Sequence, residues 1–172
     1  MIRIASPADI SGIVKIYDKI LDLEVEGKGS TGWKKGIYPT KETALEALES
    51  GELFVLEEDG IIYAAARINQ RQESEYASCN WEFDVPDSEV MVLHTLVVDP
   101  DTAGRGFGSS FVRFYEEYAL KNNCHYLRMD TNVNNAPARK LYKKLGYSEP
   151  GVISCFFNGI DGVPLVCLEK RI

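Results

Sequence analysis

The sequence predicts an α/β (α+β) fold, a mixed sheet with helices on its faces in the order β-α-α-β-β-β-α-β-α-β-β. Short runs of aliphatic and β-branched residues, such as Val92–Val98, alternate with longer segments whose apolar residues recur at helical spacing. A glycine-rich turn at 104–108 joins that strand directly to one of the helical segments. Because 172 residues suffice to bury one hydrophobic core, we expect a single domain over residues 1–172.

The composition is that of an ordinary globular protein, with 45% hydrophobic and 26% charged residues. The net charge of −7 argues against a nucleic-acid partner, which would need a basic patch. No apolar run has the length of a signal sequence or membrane span, so we expect a cytoplasmic protein with no membrane partner. The four cysteines lack CxxC spacing, so they are expected to be reduced packing residues rather than zinc ligands or a disulfide framework.

The N-terminal part predicts one strand and two helices. Ile2–Ala5 alternates as a short strand, and Ser6 is placed to cap the first helix. The second helix opens at Tyr38-Pro39-Thr40. Trp33 lies in the glycine-rich connection between the helices, and Trp33 and Tyr38 are expected either to pack as lids or to form a substrate wall.

The remaining strands are predicted at Glu52–Glu57, Ile61–Asn69, Tyr126–Asp130, Val152–Phe157 and Pro164–Glu169. Asp59-Gly60 predicts a hairpin turn between the first two, and Gly159–Gly162 predicts a turn between the last two. The polar stretch Arg71–Ser88 is expected to be a long loop or a ragged extension of a hairpin, and long loops often belong to functional sites.

The glycine-rich turn favours a phosphate-bearing ligand. Gly104, Gly106 and Gly108 allow positive φ angles and close approach of another group, and the N–H groups of a helix start attract an anion. No lysine follows Gly108, which excludes a P-loop. A dinucleotide fingerprint would place its third glycine at Ser109, so NAD is a weak alternative in which Asp130 would bind the ribose. A glycine turn without a ligand is the remaining interpretation.

A short helix follows the strand Tyr126–Asp130. Asn134-Asn135-Ala136-Pro137 predicts its start and Gly146 its end. Its apolar face comprises Ala138, Leu141, Tyr142 and Leu145. Taken alone, this pattern indicates that Tyr142 is one more packing residue of an amphipathic helix.

The element order and two motifs resemble the GNAT superfamily of N-acetyltransferases, over the whole chain. The first family motif is a strand ending in Leu-Ala-Val and then Arg/Gln-x-x-Gly-x-Gly/Ala at a helix start; here it is Leu96-Val97-Val98 and Ala103-Gly104-Arg105-Gly106-Phe107-Gly108. The second is Asn-x-x-Ala-x-x-x-Tyr-x-x-x-Gly-Phe/Tyr, here Asn135, Ala138, Tyr142, Gly146 and Tyr147. Ala103 departs from the usual Arg/Gln, which removes one support of the phosphate loop.

The resemblance implies a mostly antiparallel sheet of about seven strands with about four flanking helices. It also implies acetyl-CoA as co-substrate, with no metal. The pyrophosphate is expected on the amides of residues 104–109, and the pantetheine arm along the backbone of Leu96 and Val98. The acetyl-CoA residues are expected to be Leu96, Val97, Val98, Ala103, Gly104, Arg105, Gly106, Phe107, Gly108, Ser109, Asn135 and Ala138.

The resemblance further implies catalytic groups. Tyr142 matches the family's proton donor to the departing thiolate. His94 is the candidate base, because histidine titrates near neutral pH and some family members carry a strand histidine at the corresponding place. Other members use a glutamate two residues earlier, where this chain has Val92, and a strand histidine is about as often a hydrogen-bonded core residue. Glu82 and Asp84 are alternative bases.

The leading functional expectation is acetyl transfer from acetyl-CoA to an amine. Trp33, Tyr38 and Glu82 are expected to bind a small amine in a closed pocket, with a peptide amine as the alternative acceptor. Protein N-terminal acetylation is the rival activity, and a non-catalytic acyl-CoA-binding module is the rival from another class. The sequence leaves the identity of the acceptor open, and a homodimer is one candidate assembly.

Overall fold

The structure is a computed structural model that describes residues 1–157 and 159–172. Its α-helices are α1 (Ile10–Val25), α2 (Lys41–Glu49), α3 (Phe107–Lys121) and α4 (Ala136–Lys144). Its strands are β1 (Ile2–Ile4), β2 (Leu53–Glu58), β3 (Ile61–Asn69), β4 (Val90–Val98), β5 (Tyr126–Asn132), β6 (Ser148–Phe157) and β7 (Ile160–Arg171). This is the element order that the sequence predicts.

The strands form one seven-stranded sheet in the order β1-β2-β3-β4-β5-β7-β6. β4 and β5 pair in parallel, with Val90 opposite Tyr126 and Val92 opposite Arg128. The pairs β1–β2, β2–β3, β5–β7 and β6–β7 are antiparallel. The predicted fold class, a mixed and mostly antiparallel sheet with four helices, is confirmed.

The closing hairpin differs from the prediction in its turn. β7 begins at Ile160, so Gly162 lies within the strand and the predicted turn at Gly159–Gly162 is wrong there. The pairing explains the difference, because Phe157 is opposite Ile160 and Cys155 is opposite Val163 across a register shift. A glycine in a strand interior often marks such an irregularity rather than a turn.

The chain divides into two compact units, and the expectation of a single domain stays a prediction. The first unit comprises Met1–Gly29, Trp33–Ile68 and His94–Phe114. The second comprises Ser30–Gly32, Asn69–Leu93 and Tyr115–Ile172. In the first unit, apolar side chains of α1 and α2 share one core with β2 and β3, including Ile13, Ile16, Ala44, Val55 and Ala65. In the second, β6 and β7 contribute Ile153, Cys155, Leu165 and Cys167 to a core that also contains Tyr76.

Capping residues precede two of the helical segments, and the sequence predicts the first of them, Ser6. Ser6 caps a single 3-10 turn, Pro7–Asp9, which leads into α1, and Thr40 caps α2. At the first of these, the Asp9 carboxylate accepts hydrogen bonds from the Ser6 N–H at 2.7 Å and the Ser6 hydroxyl at 2.9 Å. Within residues 1–157 and 159–172, the helices all lack the length and apolar character needed to cross a membrane.

Candidate active site

In the first unit, β4 becomes accessible in its second half. His94, Thr95 and Leu96 are half-buried, whereas Val97 is buried. The central strand of a sheet with helices on both faces is usually covered throughout. The pairs described between β4 and β5 lie in the first half of β4, from Val90 to Val92.

Thr95 interrupts the extended backbone of β4. Its φ is +52°, in the left-handed region that β-branched residues rarely adopt. The Tyr38 hydroxyl and the Thr95 hydroxyl share a hydrogen bond. Trp33 packs edge-on against Tyr38 with ring centroids 5.6 Å apart. The predicted substrate residues Trp33 and Tyr38 thus belong to the same cluster as the irregular part of β4, next to His94.

The glycine turn begins helix α3 much as the sequence predicts. Gly104 and Gly106 have φ angles of +85° and +81°, which favour glycine. Gly108 lies in the first turn of α3 instead, so its expected place in the connecting turn is wrong. The Ser110 N–H donates to the Gly106 carbonyl at 2.9 Å, which is the first helical bond. The N–H groups of residues 107–109 therefore have no intrahelical acceptor and suit an anion.

Side chains of the first unit fix the segment that precedes this turn, residues 99–103. Asp99 receives the Lys19 ammonium at 2.8 Å and the Asp101 N–H at 3.0 Å. The Thr102 hydroxyl donates to the Asp99 carbonyl at 2.7 Å. These contacts fix the chain between β4 and Gly104, so its amides are in place before any ligand binds.

Arg105 and Ala103 differ in what they offer an anion. The Arg105 guanidinium lies 4.5 Å from the centre of the Phe107 ring and 5.0 Å from that of Tyr63. It also pairs with Glu58 at 3.1 Å. Ala103 is exposed and brings no charge. The backbone amides therefore dominate this turn, with Arg105 beside them as a half-exposed cation.

In the second unit, α4 begins with the cap that the motif asparagine supplies. Asn135 Oδ1 accepts the Ala138 N–H at 3.3 Å and the Ser30 hydroxyl at 3.3 Å. The structure thus brings Asn135 and Ala138 together, as a helix cap. Asn135 and Ala138 therefore have a structural role, capping α4, that does not depend on a ligand.

Tyr142 lies on α4 and is 6% exposed. Its ring contacts Tyr147, with centroids 6.0 Å apart. Burial, together with the negative charge of Asp130, raises the pKa of Tyr142 well above that of an ordinary tyrosine. An ordinary tyrosine is already protonated at neutral pH, so Tyr142 meets this requirement of a proton donor without the shift.

The long connection between β3 and β4 is held by a buried ion pair. Arg128 on β5 pairs with Glu169 on β7 at 3.1 Å, and their side chains are only 6% and 0% exposed. Arg128 donates to the Phe83 carbonyl at 2.7 Å, and its guanidinium lies 4.3 Å from the centre of the Trp81 ring. Glu169 accepts the Glu82 N–H at 2.8 Å. These contacts fix the backbone of the connection. It contains two short 3-10 turns and no strand among its described residues.

A cavity of about 600 Å³ opens in this connection. Its wall includes Tyr76, Trp81, Asp84, Asp87 and Arg128. Asp84, predicted as an alternative base, lines this cavity, and both Asp84 and Glu82 are exposed. The Glu82 carboxylate accepts from the Ser148 hydroxyl at 3.4 Å.

Sequence reasoning missed Thr95 and the Arg128–Glu169 pair. The available signal for the pair was one charged residue within each of two otherwise apolar strands. Buried charges are rare unless they are paired, so each of these charges indicates a partner. Thr95 gave no such signal. Among the described residues, no group of three or more His, Cys, Asp or Glu side chains could hold a metal ion.

The chain matches known proteins over most of its length. The model of the acetyltransferase (GNAT) family matches residues 18–147. An uncharacterized N-acetyltransferase of Methanocaldococcus jannaschii is 31% identical over 132 residues, which is 76% of this chain. The match spans only 57% of that relative's length.

Two solved structures share the fold. A GNAT-family acetyltransferase of Streptococcus agalactiae has a TM-score of 0.83 and 24% identity, over 100% of this chain and 95% of that one. The structure of yncA from Salmonella typhimurium with its cofactor acetyl-CoA has a TM-score of 0.70 and 17% identity, over 99% and 92% of the two chains.

Proposed function

The chain belongs to the acetyltransferase (GNAT) family, and on that premise we propose that it transfers the acetyl group of acetyl-CoA to the amine of a small molecule. The observation that carries the proposal is the exposed turn at Gly104–Gly106, which opens α3 and is separated from the half-buried end of β4 by a short 3-10 turn, Pro100–Thr102. A pyrophosphate needs unpaired N–H groups at a helix start, and an extended arm needs free strand backbone.

The chain's own groups divide the binding task. The N–H groups of Gly104 and of residues 106–109 bind the pyrophosphate, with the Arg105 guanidinium as a neighbouring cation, while the Arg105 N–H donates to the Thr102 carbonyl at 3.1 Å. Ala103 contributes no side chain to this site. The backbone of Leu96 and Val98 pairs with the pantetheine arm. The cap formed by Asn135 and Ala138 fixes the start of α4, which carries Tyr142.

Amine activation falls to His94. An alkyl amine is mostly protonated at neutral pH and must lose a proton before it attacks a thioester. The His94 imidazole takes that proton directly or through a water molecule. Asp84 and Glu82 are the alternative bases.

Two further groups act as the thioester reacts. A backbone N–H of β4 stabilises the negative charge that develops on the carbonyl oxygen. The Tyr142 hydroxyl donates to the departing sulfur. The match of Tyr142 to the second family motif supports this role.

The small acceptor is favoured by Trp33 and Tyr38. Tyr38 is buried and bonded to Thr95, and Trp33 packs on it, so the pair walls off the accessible half of β4. A cytoplasmic location completes the proposal. A homodimer stays a prediction.

The decisive experiment measures acetyl-CoA-dependent release of free CoA with a panel of small amines and a matched panel of peptide N-termini. We expect turnover with small amines and stabilisation of the protein by CoA but not by NAD in thermal unfolding. Turnover with peptides but not with small amines would indicate protein N-terminal acetylation instead. CoA binding without turnover on either panel would indicate an acyl-CoA-binding module.

His94→Ala tests the proposed base within the same assay. We expect a loss of roughly 10²-fold in rate at neutral pH with acetyl-CoA affinity retained. The deficit should shrink as the pH rises, because free amine becomes abundant. A loss that is constant across pH would assign His94 a structural role.

A further inference from the structure

Three of the four cysteines lie in the apolar core of the second unit. Cys155 and Cys167 are buried on β6 and β7, and Cys79 is half-buried at the end of the 3-10 turn Ser74–Ser78. The fourth, Cys124, is not a member of this cluster and lies 3.2 Å from the Gln70 amide nitrogen. All four carry free thiols.

Gly151 brings Cys79 next to Cys167. Gly151 on β6 is directly opposite Cys167 on β7. A Cβ on Gly151 would lie 3.3 Å from the Cys79 sulfur. Directly opposed residues project onto the same face with Cβ positions about 4.5–5.5 Å apart. The Cys79 sulfur therefore occupies the space that Gly151 leaves empty beside Cys167, and the two thiols interact through a hydrogen bond.

We propose that Cys79 and Cys167 form an oxidation site, in which a peroxide converts the two thiols into a disulfide that links the β3–β4 connection to β7. Cys155 lies in the same cluster but is opposite Val163, four residues along β6 from Gly151. The Cys79 sulfur lies over Gly151, and Cys167 is the cysteine opposite Gly151. Cys167 is therefore the expected partner of Cys79.

The proposed chemistry balances with hydrogen peroxide as the oxidant. The Cys79 thiolate attacks one peroxide oxygen, the O–O bond breaks, and water leaves with formation of a sulfenic acid. The Cys167 sulfur then attacks the sulfenic sulfur, so that the S–S bond forms and the S–O bond breaks with loss of a second water. Two thiols and one peroxide become one disulfide and two waters, and the sulfurs supply both electrons.

The surroundings of both thiols set a pH dependence. Burial raises the pKa of Cys79, the hydrogen bond with Cys167 lowers it, and the charges of Glu169 and Arg128 act in opposite directions. Burial and the Cys79 hydrogen bond raise the pKa of Cys167, with Asp130 and Cys155 adding to the effect. Thiolate is therefore scarce at neutral pH. As long as the pH is below the thiol pKa, each increase of one pH unit should raise the oxidation rate about tenfold.

The test treats the 172-residue chain with hydrogen peroxide at pH 7 and pH 9, alkylates the remaining thiols after denaturation, and maps the peptides. We expect a Cys79–Cys167 peptide, two fewer alkylated thiols, and faster formation at pH 9. We also expect a Tm higher on the order of 5 °C or more, reversed by dithiothreitol, because the link closes a long loop.

Matched variants assign the pair. Cys124→Ser and Cys155→Ser should still form the link, whereas Cys79→Ser and Cys167→Ala should abolish it. Cys79 is half-buried, so Cys79→Ser is expected to fold even if the buried Cys167→Ala is destabilised. A disulfide to Cys155, an over-oxidised Cys79 without a cross-link, or an unchanged thiol count in the folded protein would overturn the proposal.

Discussion

Tyr38 and Thr95 are joined by a hydrogen bond between their hydroxyl groups, at the point where β4 departs from extended geometry. A β-branched residue at a φ of +52° is strained, at a cost of order 1–3 kcal/mol, and persists only where its surroundings hold it. Tyr38 supplies part of that support, and Trp33 packs on the Tyr38 ring. The connection between α1 and α2 thus helps to set the backbone of the proposed reaction strand.

Tyr38→Phe and Thr95→Val each remove one hydroxyl of this pair. We expect each variant to lower the free energy of unfolding by about 1 kcal/mol, because a net hydrogen bond contributes about that amount. The double variant should cost less than the sum of the two, since both remove the same bond. Urea unfolding of the four proteins measures the coupling. Strict additivity would show that the hydrogen bond does not stabilise the bend.

Gly106→Asp tests the proposed pyrophosphate site. Aspartate tolerates a positive φ better than most residues, and a carboxylate suits a helix start, so the variant is expected to fold. A ligand pyrophosphate would meet a negative charge there. Acetyl-CoA affinity measured by calorimetry should fall at least tenfold, or ~1.4 kcal/mol.

Gly106→Asn is the matched control for that charge. Asparagine has nearly the same shape and the same tolerance of positive φ, and nothing lies within 4 Å of a Cβ at this position. The asparagine variant should bind acetyl-CoA more tightly than the aspartate variant. Equal affinities for the two variants would mean that no phosphate approaches Gly106.

The sequence was sufficient to predict the element order, the cap Ser6 and the helix starts near Thr40 and Asn135, because period, caps and turn glycines are local signals. Thr95 could not be predicted. Its conformation depends on a partner 57 positions earlier in the chain, Tyr38. The same reason applies to Gly162, whose strand geometry depends on pairing with β6.

The candidate site shows the same division. The glycine turn and the Asn135 cap each depend on residues that are close together in the sequence. Both can therefore be predicted from a sequence pattern. The order of the β3–β4 connection depends on Arg128 and Glu169, which lie on different strands and meet only in the folded sheet. A polar stretch such as Arg71–Ser88 therefore predicted only a loop, although its backbone is fixed by that pair.

Asp9 provides a test of stability against pH. The Arg3 guanidinium donates to both Asp9 carboxylate oxygens, at 2.8 and 2.9 Å, and this lowers the pKa of Asp9 to about 2 against the opposing effect of burial. An unfolded chain has an aspartate pKa of about 4, so the ionised carboxylate favours the folded state above pH 4. That contribution, about 2–3 kcal/mol, should disappear as the pH falls from about 4 to about 2.

Asp9→Asn should lose that contribution at neutral pH and show a flatter stability profile between pH 4 and pH 2. Asp18→Asn, an exposed change of the same charge on α1, serves as the control and should follow the wild-type profile. Urea unfolding at each pH supplies the free energies. Parallel profiles for wild type and Asp9→Asn would show that the Arg3–Asp9 pair does not contribute through ionisation.

Tyr142→Phe tests the proposed proton donor. The substitution removes one hydroxyl and keeps the buried ring, so packing and acetyl-CoA binding should change little. The rate should fall by roughly 10²-fold if thiolate protonation limits the reaction. Single-turnover kinetics isolates that step from product release. Tyr147→Phe, which alters the neighbouring ring 6.0 Å away, is the matched control and should keep the wild-type rate. A stable Tyr142→Phe protein with an unchanged single-turnover rate would reduce Tyr142 to a packing residue of α4 and move the acid to another group.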